Sequence, residues 1–198
     1  MTDELVAEKE ILERIAARDH TGFDLMVERY SAMLYRYALR MCGEPAEAED
    51  ALQETFLIAQ QKIGQFRGEG RLRNWLFKIT ANACRQRHRT RQGRLSTELR
   101  LEDVMSAPED SAEHEPPSWQ KNPVENLLSA EMAEHLEAAI AMVPPINRSV
   151  LLLRDLEGLT TRETAHVLEI SEEAVKVRLH RARAYVRNQL KDYFEERK

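Results

Sequence analysis

Residues 71–94, RLRNWLFKITANACRQRHRTRQGR, hold eight Arg or Lys and no acid, inside a 198-residue chain of formal net charge -5. Charge segregated this sharply marks a surface that binds a polyanion rather than an ordinary solvated face. On a helix, Leu72, Leu76, Ile79 and Ala83 fall on one apolar stripe, which belongs to a core. Arg71, Trp75, Lys78, Asn82, Arg85 and Arg89 fall on a second stripe about a quarter turn away. Cations hold phosphates, while a ring or an amide stacks on or hydrogen-bonds to an unpaired base. The competing account is a plain surface helix with a buried Trp75.

Working back toward the N-terminus, AEAEDALQETFLIAQQKI (residues 46–63) reads as a helix with two faces. Ala48, Leu52, Thr55, Ala59 and Ile63 pack inward, and Asp50, Gln53, Glu54, Leu57 and Gln61 cluster opposite. Asp50 and Glu54 repel at four-residue spacing, and Leu57 sits apolar among polar neighbours. An exposed acidic cluster around a Leu points to a protein partner; an untidy solvent face is the alternative. The following loop, QFRGEG, has two Gly for backbone angles closed to other residues, with Phe66 as an anchor or a ligand-facing ring. Before it, helical spacing runs from Leu5 to about Ala17 and from Gly22 to Cys42, with Phe23, Val27, Tyr30, Leu34, Tyr37 and Met41 inward. Gly43-Glu44-Pro45 ends the second of these helices.

Working forward, Glu98 to Ser118 carries seven acids against Arg100 alone, with three Pro and few apolar residues. This reads as a linker, either a solvated tether or a negative segment that mimics nucleic acid against a basic surface. Val124, Leu127, Leu128, Leu136, Ile140 and Val143 outline an amphipathic helix that Pro144-Pro145 stops. A short helix from Asn147 to Leu156 ends at Gly158. Thr160 to Glu163 offers a capping box for a helix through Leu168, and Glu169-Ile170-Ser171 leads into a Ser-capped final helix. Two helices joined by so tight a turn make a helix-turn-helix, with Glu169 at a position where Gly is common. In the last helix Val175, Leu179, Ala182 and Val186 are the buried stripe. Lys176, Val177, His180 and Arg181 face outward near its start, flanked by Arg178, Arg183 and Arg187. Such a helix reads bases in the major groove from its N-terminal half while flanking cations hold phosphates. A basic helix binding RNA or a membrane is the alternative.

Seven Gly, seven Pro and almost no strand-like alternation make the fold class all-α. No run approaches the ~20 apolar residues of a membrane span, and the acidic start MTDELVAEKE is unlike a signal peptide, so a cytoplasmic location is expected. Cys42 and Cys84 read as small buried residues in a reducing compartment. The six His show no zinc-binding spacing, and no nucleophile–base pairing or phosphate loop appears, so no enzyme, metal or cofactor is expected.

AEDALQETF, FRGEG and WLFKITANACRQRHR, followed by the helix-turn-helix, resemble the extracytoplasmic-function (ECF) class of bacterial sigma factors, in order and spacing from about Phe23 to Leu190. The resemblance implies two small helical domains, residues 1–95 and 122–198, joined by an acidic flexible linker at 96–121 that in this family threads through polymerase. It implies core RNA polymerase as a partner, docked through Asp50, Gln53, Glu54 and Leu57. It further implies minus-ten recognition of single-stranded promoter DNA by Phe66, Arg71, Trp75, Lys78, Asn82, Arg85 and Arg89. Minus-thirty-five recognition would fall to Lys176, Val177, Arg178, His180, Arg181, Arg183 and Arg187. An anti-sigma factor is expected on the same ground. A stand-alone helix-turn-helix regulator is the competing function, distinguished by binding its operator without polymerase.

Overall fold

The computed structural model describes residues 2–66, 71–93 and 130–195, all helix and turn without a strand. The acidic stretch 96–121, loop residues 67–70 and the apolar Val124, Leu127 and Leu128 lie outside the described residues. The chain divides into two compact units, the first ending at Arg91.

The first unit contains α1 (Thr2–Ala16), α2 (His20–Cys42), α3 (Pro45–Lys62) with a single 3-10 turn after it, and α4 (Leu72–Gly93). Asp19 caps α2 by accepting from the Thr21 N–H at 3.0 Å. Gly22 lets α2 start flush against α1, where an added Cβ would lie 2.8 Å from both Arg14 Cβ and Ile15 N. Met26, Tyr30, Leu34, Tyr37, Ala38 and Met41 of α2 are buried. Phe23 and Val27, expected inward, are half-buried: α2 packs on α1 along one side and α3 along another, so its buried arc is turned toward Met26 and Ala38. Gly43, at φ 82°, closes α2 with its N–H on Leu39 O, and Pro45 opens α3. On α3 the buried residues are the small Ala48, Ala51, Thr55 and Ala59, whereas Leu52 and Ile63 are only half-buried. Leu72, Leu76 and Phe77 of α4 are fully enclosed, each contributing roughly 1.5–3 kcal/mol by burial. The Phe77 ring meets Tyr37 edge-on at 5.5 Å.

The second unit contains α5 (Ala130–Met142), α6 (Pro145–Leu151), α7 (Thr161–Leu168) and α8 (Glu172–Glu195). Pro144 and Pro145 separate α5 from α6, so α6 begins two residues earlier than the spacing predicts. Its end widens over Leu152–Leu156, where the Glu157 N–H reaches back five residues to Leu152 O at 2.9 Å, and Gly158 at φ 71° turns the chain. The core is Ile140, Val143, Val150, Leu152, Leu153, Leu159, Val167, Val175 and Ala182. Arg148 is buried in it, donating from Nε to Val143 O at 3.0 Å and from Nη2 to Ala141 O at 2.5 Å, which satisfies carbonyls freed at the end of α5.

Candidate nucleic-acid interface

In the first unit α4 is wedged among its neighbours and buries a much wider arc than one apolar stripe. Leu72, Leu76, Ile79 and Ala83 are buried as expected, and so are Asn74, Phe77, Thr80, Ala81 and Cys84. What stays accessible is the predicted second stripe: Asn82 and Arg89 are exposed, and Arg71, Trp75, Lys78 and Arg85 are half-accessible. Phe66 comes to this stripe from the preceding turn, its ring 5.6 Å from that of Trp75 and tilted by 50°. Two rings side by side at one end, an exposed amide in the middle and cations throughout can seat unpaired bases beside a phosphate chain.

The start of α4 is anchored from behind. Glu8 of α1 is buried and accepts from the Arg73 backbone N–H at 3.3 Å and from the Tyr30 hydroxyl at 3.2 Å. A carboxylate at a helix N-terminus is electrostatically favoured there. Burial, then the Glu8 charge and hydrogen bond, push the Tyr30 phenol well above its ordinary value. Not every basic side chain of 71–94 faces out. Arg73 lies over the Phe77 ring at 5.4 Å, and His88 Nε2 donates to Met41 O at 2.5 Å. Cys84 is buried against Cys42, whose hydrogen bond, with burial, raises the Cys84 thiol far above the ordinary range.

On α3, Asp50, Gln53 and Gln61 are exposed, and Leu57 is 53% exposed although apolar. Glu54 departs from the open acidic cluster expected of it. Its Oε2 accepts from Arg87 Nη1 at 2.5 Å, with side chains 34% and 24% exposed, so the carboxylate is turned toward α4.

In the second unit the capping box at Thr160 and Glu163 is formed in both directions. Glu169 takes the left-handed conformation at φ 57° with its N–H on Ala165 O, which makes the turn without Gly. Ser171 Oγ then accepts from the Ala174 N–H at 3.1 Å to start α8. Val175, Leu179 and Ala182 are buried, Val186 is half-buried, and Lys176, Val177, His180, Arg181 and Arg187 are exposed. Val177 keeps 49% of its surface open. Arg178 is half-accessible. Arg183 is not an open flanking cation: its Nε and Nη2 donate to Asp155 Oδ2 and Oδ1 at 2.9 and 2.7 Å. The widened turn after α6 supplies that Asp, which no local pattern on α8 announces.

Residues 26–94 match sigma-70 region 2, and residues 133–186 match sigma-70, region 4. The chain belongs to the sigma-70 family. It is a sigma factor of the ECF class, a transcription initiation factor built from two helical domains. It is 28% identical over 191 residues to the RNA polymerase sigma-H factor of Pseudomonas aeruginosa, with 96% of each chain covered. It is 28% identical over 194 residues to the ECF RNA polymerase sigma-E factor of Haemophilus influenzae, covering 94% of this chain and 97% of that one. The sigma factor RpoE from Bartonella quintana, solved with the anti-sigma factor NepR, has the same fold at TM-score 0.61 and 24% identity, covering 85% of this chain and 96% of that one. Within this sigma factor, sequence spacing placed the accessible stripe of α4 and the outward face of α8 where the structure has them. It missed Glu8, Arg87 and Asp155, whose roles depend on partners 65, 33 and 28 residues away. Among the described residues no helix is long and apolar enough to cross a membrane, and no group of His, Cys, Asp or Glu could hold a metal ion.

Proposed function

We propose that this sigma factor docks on core RNA polymerase through Asp50, Gln53 and Leu57, reads a promoter at two places and stabilises its opening. The observation that carries the reading is the stripe of α4. It sets Phe66 against Trp75, exposes Asn82 and adds Arg71, Lys78, Arg85 and Arg89, and the paired rings suit unpaired bases, which can stack on them. Residues 1–95 form the docking and minus-ten domain, 96–121 the acidic linker, and 122–198 the minus-thirty-five domain. On α8, Lys176, His180 and Arg181 contact base edges and Val177 meets a thymine methyl. Arg178 and Arg187 hold phosphates, and Arg183 supports them through Asp155. The protein acts in the cytoplasm, as a factor rather than a catalyst. An anti-sigma factor holds it inactive, in keeping with the NepR complex of its structural relative.

The test reconstitutes holoenzyme on a cognate promoter and reads unpaired thymines by permanganate. Asn82→Ala spares binding to the duplex upstream element and reduces the open complex. Arg181→Ala costs about 1–3 kcal/mol on one upstream sequence and relaxes preference at one base. If Asn82→Ala opens DNA as well as the parent while Arg181→Ala fails, the protein reads duplex alone and the reading of α4 is wrong.

A further inference from the structure

Arg87 belongs to the basic stretch but stands five residues beyond Asn82, about 140° around α4 from the reading stripe. It faces α3 instead, where Nη1 meets Glu54 at 2.5 Å and also lies 3.4 Å from Ala83 O. Seven residues earlier, on the same side of α4, the buried Thr80 hydroxyl accepts from Thr55 Oγ1 at 3.2 Å. Each of these hydroxyls also lies near the carbonyl four residues back, Thr55 to Ala51 O at 2.7 Å and Thr80 to Leu76 O at 3.0 Å, so neither is loose. Helix α4 is therefore tied to α3 at two places about 10 Å apart along its axis. Glu8 and the packing of Leu72, Leu76 and Phe77 hold the first turns of α4, whereas the Glu54–Arg87 pair fixes its later turns against α3. Asp50, Gln53 and Leu57 share α3 with one half of this clamp, and Asn82 and Arg85 lie on α4 between Thr80 and Arg87, the two residues of the other half.

We infer that the Glu54–Arg87 pair is a positioning device that sets the angle between the docking face of α3 and the reading stripe of α4. Glu54 then serves promoter opening through Arg87 and not by touching polymerase. This rests on the docking and reading roles proposed above. The pair is partly exposed and screened by solvent, so its removal weakens the fold little. What is lost is the fixed angle, and with it the geometry in which a docked protein presents Asn82 to the melted strand.

The experiment uses full-length variants with core RNA polymerase, measuring core affinity by titration and opening by permanganate reactivity. Circular dichroism checks helix content in every variant. Arg87→Ala should bind core within about twofold of the parent and form roughly five- to tenfold less open complex, a loss of the size expected for coupled neighbours. Glu54→Ala should show the same opening deficit, and the double variant no more than either. Arg87→Lys should retain most opening, because the contact is a single N–H to one oxygen that an ammonium can replace. Normal opening by Arg87→Ala, additive losses in the double variant, or a fall in core affinity with Glu54→Ala alone would each overturn the inference. Asn82→Ala, run in parallel, separates the two levels. If it too opens normally, the reading role of α4 fails; if it alone fails to open, only the positioning role of Arg87 is refuted.

Discussion

Replacing Asp155 by Ala should destabilise the second unit by roughly 2–3 kcal/mol. The carboxylate receives two N–H groups of Arg183 at 2.7 and 2.9 Å, with side chains 14% and 20% exposed. Removing one member of a buried pair costs about 3–5 kcal/mol, because the other is left charged and unpaired. A fifth of the Arg183 side chain still reaches water, which lowers the figure. For a unit of this size each kcal/mol shifts the midpoint by about 4–8 °C, so the expected change is about 10–20 °C. Arg183→Ala should lose a similar amount, and the double variant less than the sum, with a coupling of about 1.5–3 kcal/mol. Hydrogen-exchange protection of the α8 amides in rising urea reads this locally, without interference from the first unit. The opposite result is equally definite. If Arg183→Ala leaves α8 protection unchanged but weakens binding to every DNA sequence and lowers the salt slope by about one, Arg183 is a phosphate contact and the strut assignment is wrong.

Glu169→Gly should stabilise the helix-turn-helix by about 0.5–1 kcal/mol, since Glu169 is held at φ 57°, a conformation that costs a side-chain-bearing residue more than the chain entropy Gly adds; thermal melting decides it. Gly22→Ala should cost about 1–3 kcal/mol and raise proteolysis of α1, because the new methyl would meet backbone at Ile15; unchanged protection would show that α1 yields freely. The Tyr30 phenol is raised in the folded state by burial and by Glu8, so the stability tied to it is fully present below the unfolded value of about 10. It is lost as pH climbs above that, when only the unfolded chain releases the proton. Denaturation midpoints against pH should fall in the parent and stay flatter in Tyr30→Phe.

Much of the fold was legible because its signals are local. The Gly43–Pro45 break, the Thr160–Glu163 box and the Ser171 cap each lie within a few residues, and each formed as spacing predicted. The accessible stripe of α4 was legible for a related reason: a helix packed against α1, α2 and α3 leaves a narrow open arc, and Arg71, Lys78, Asn82, Arg85 and Arg89 recur at the spacing that fills it. What spacing could not supply was depth. One apolar stripe hid the burial of Asn74, Phe77 and Thr80, since a period shows where a face is centred and not how wide the neighbours make it. Charge misled at Glu54 and Arg183 for the same reason: a charged side chain reads as solvent-facing until the opposite charge, 33 or 28 residues away, is brought beside it.

The widened turn at Leu152–Leu156 amounts to one supernumerary residue stored inside a helix. A substitution there changes a side chain; a deletion changes phase. Removing one residue would change the winding of this turn and with it the direction from which Asp155 meets Arg183. The segment ahead of the helix-turn-helix should accordingly tolerate many identities at its exposed Leu156 yet accept only one length, so that insertions and deletions, rather than exchanges, are what this stretch forbids.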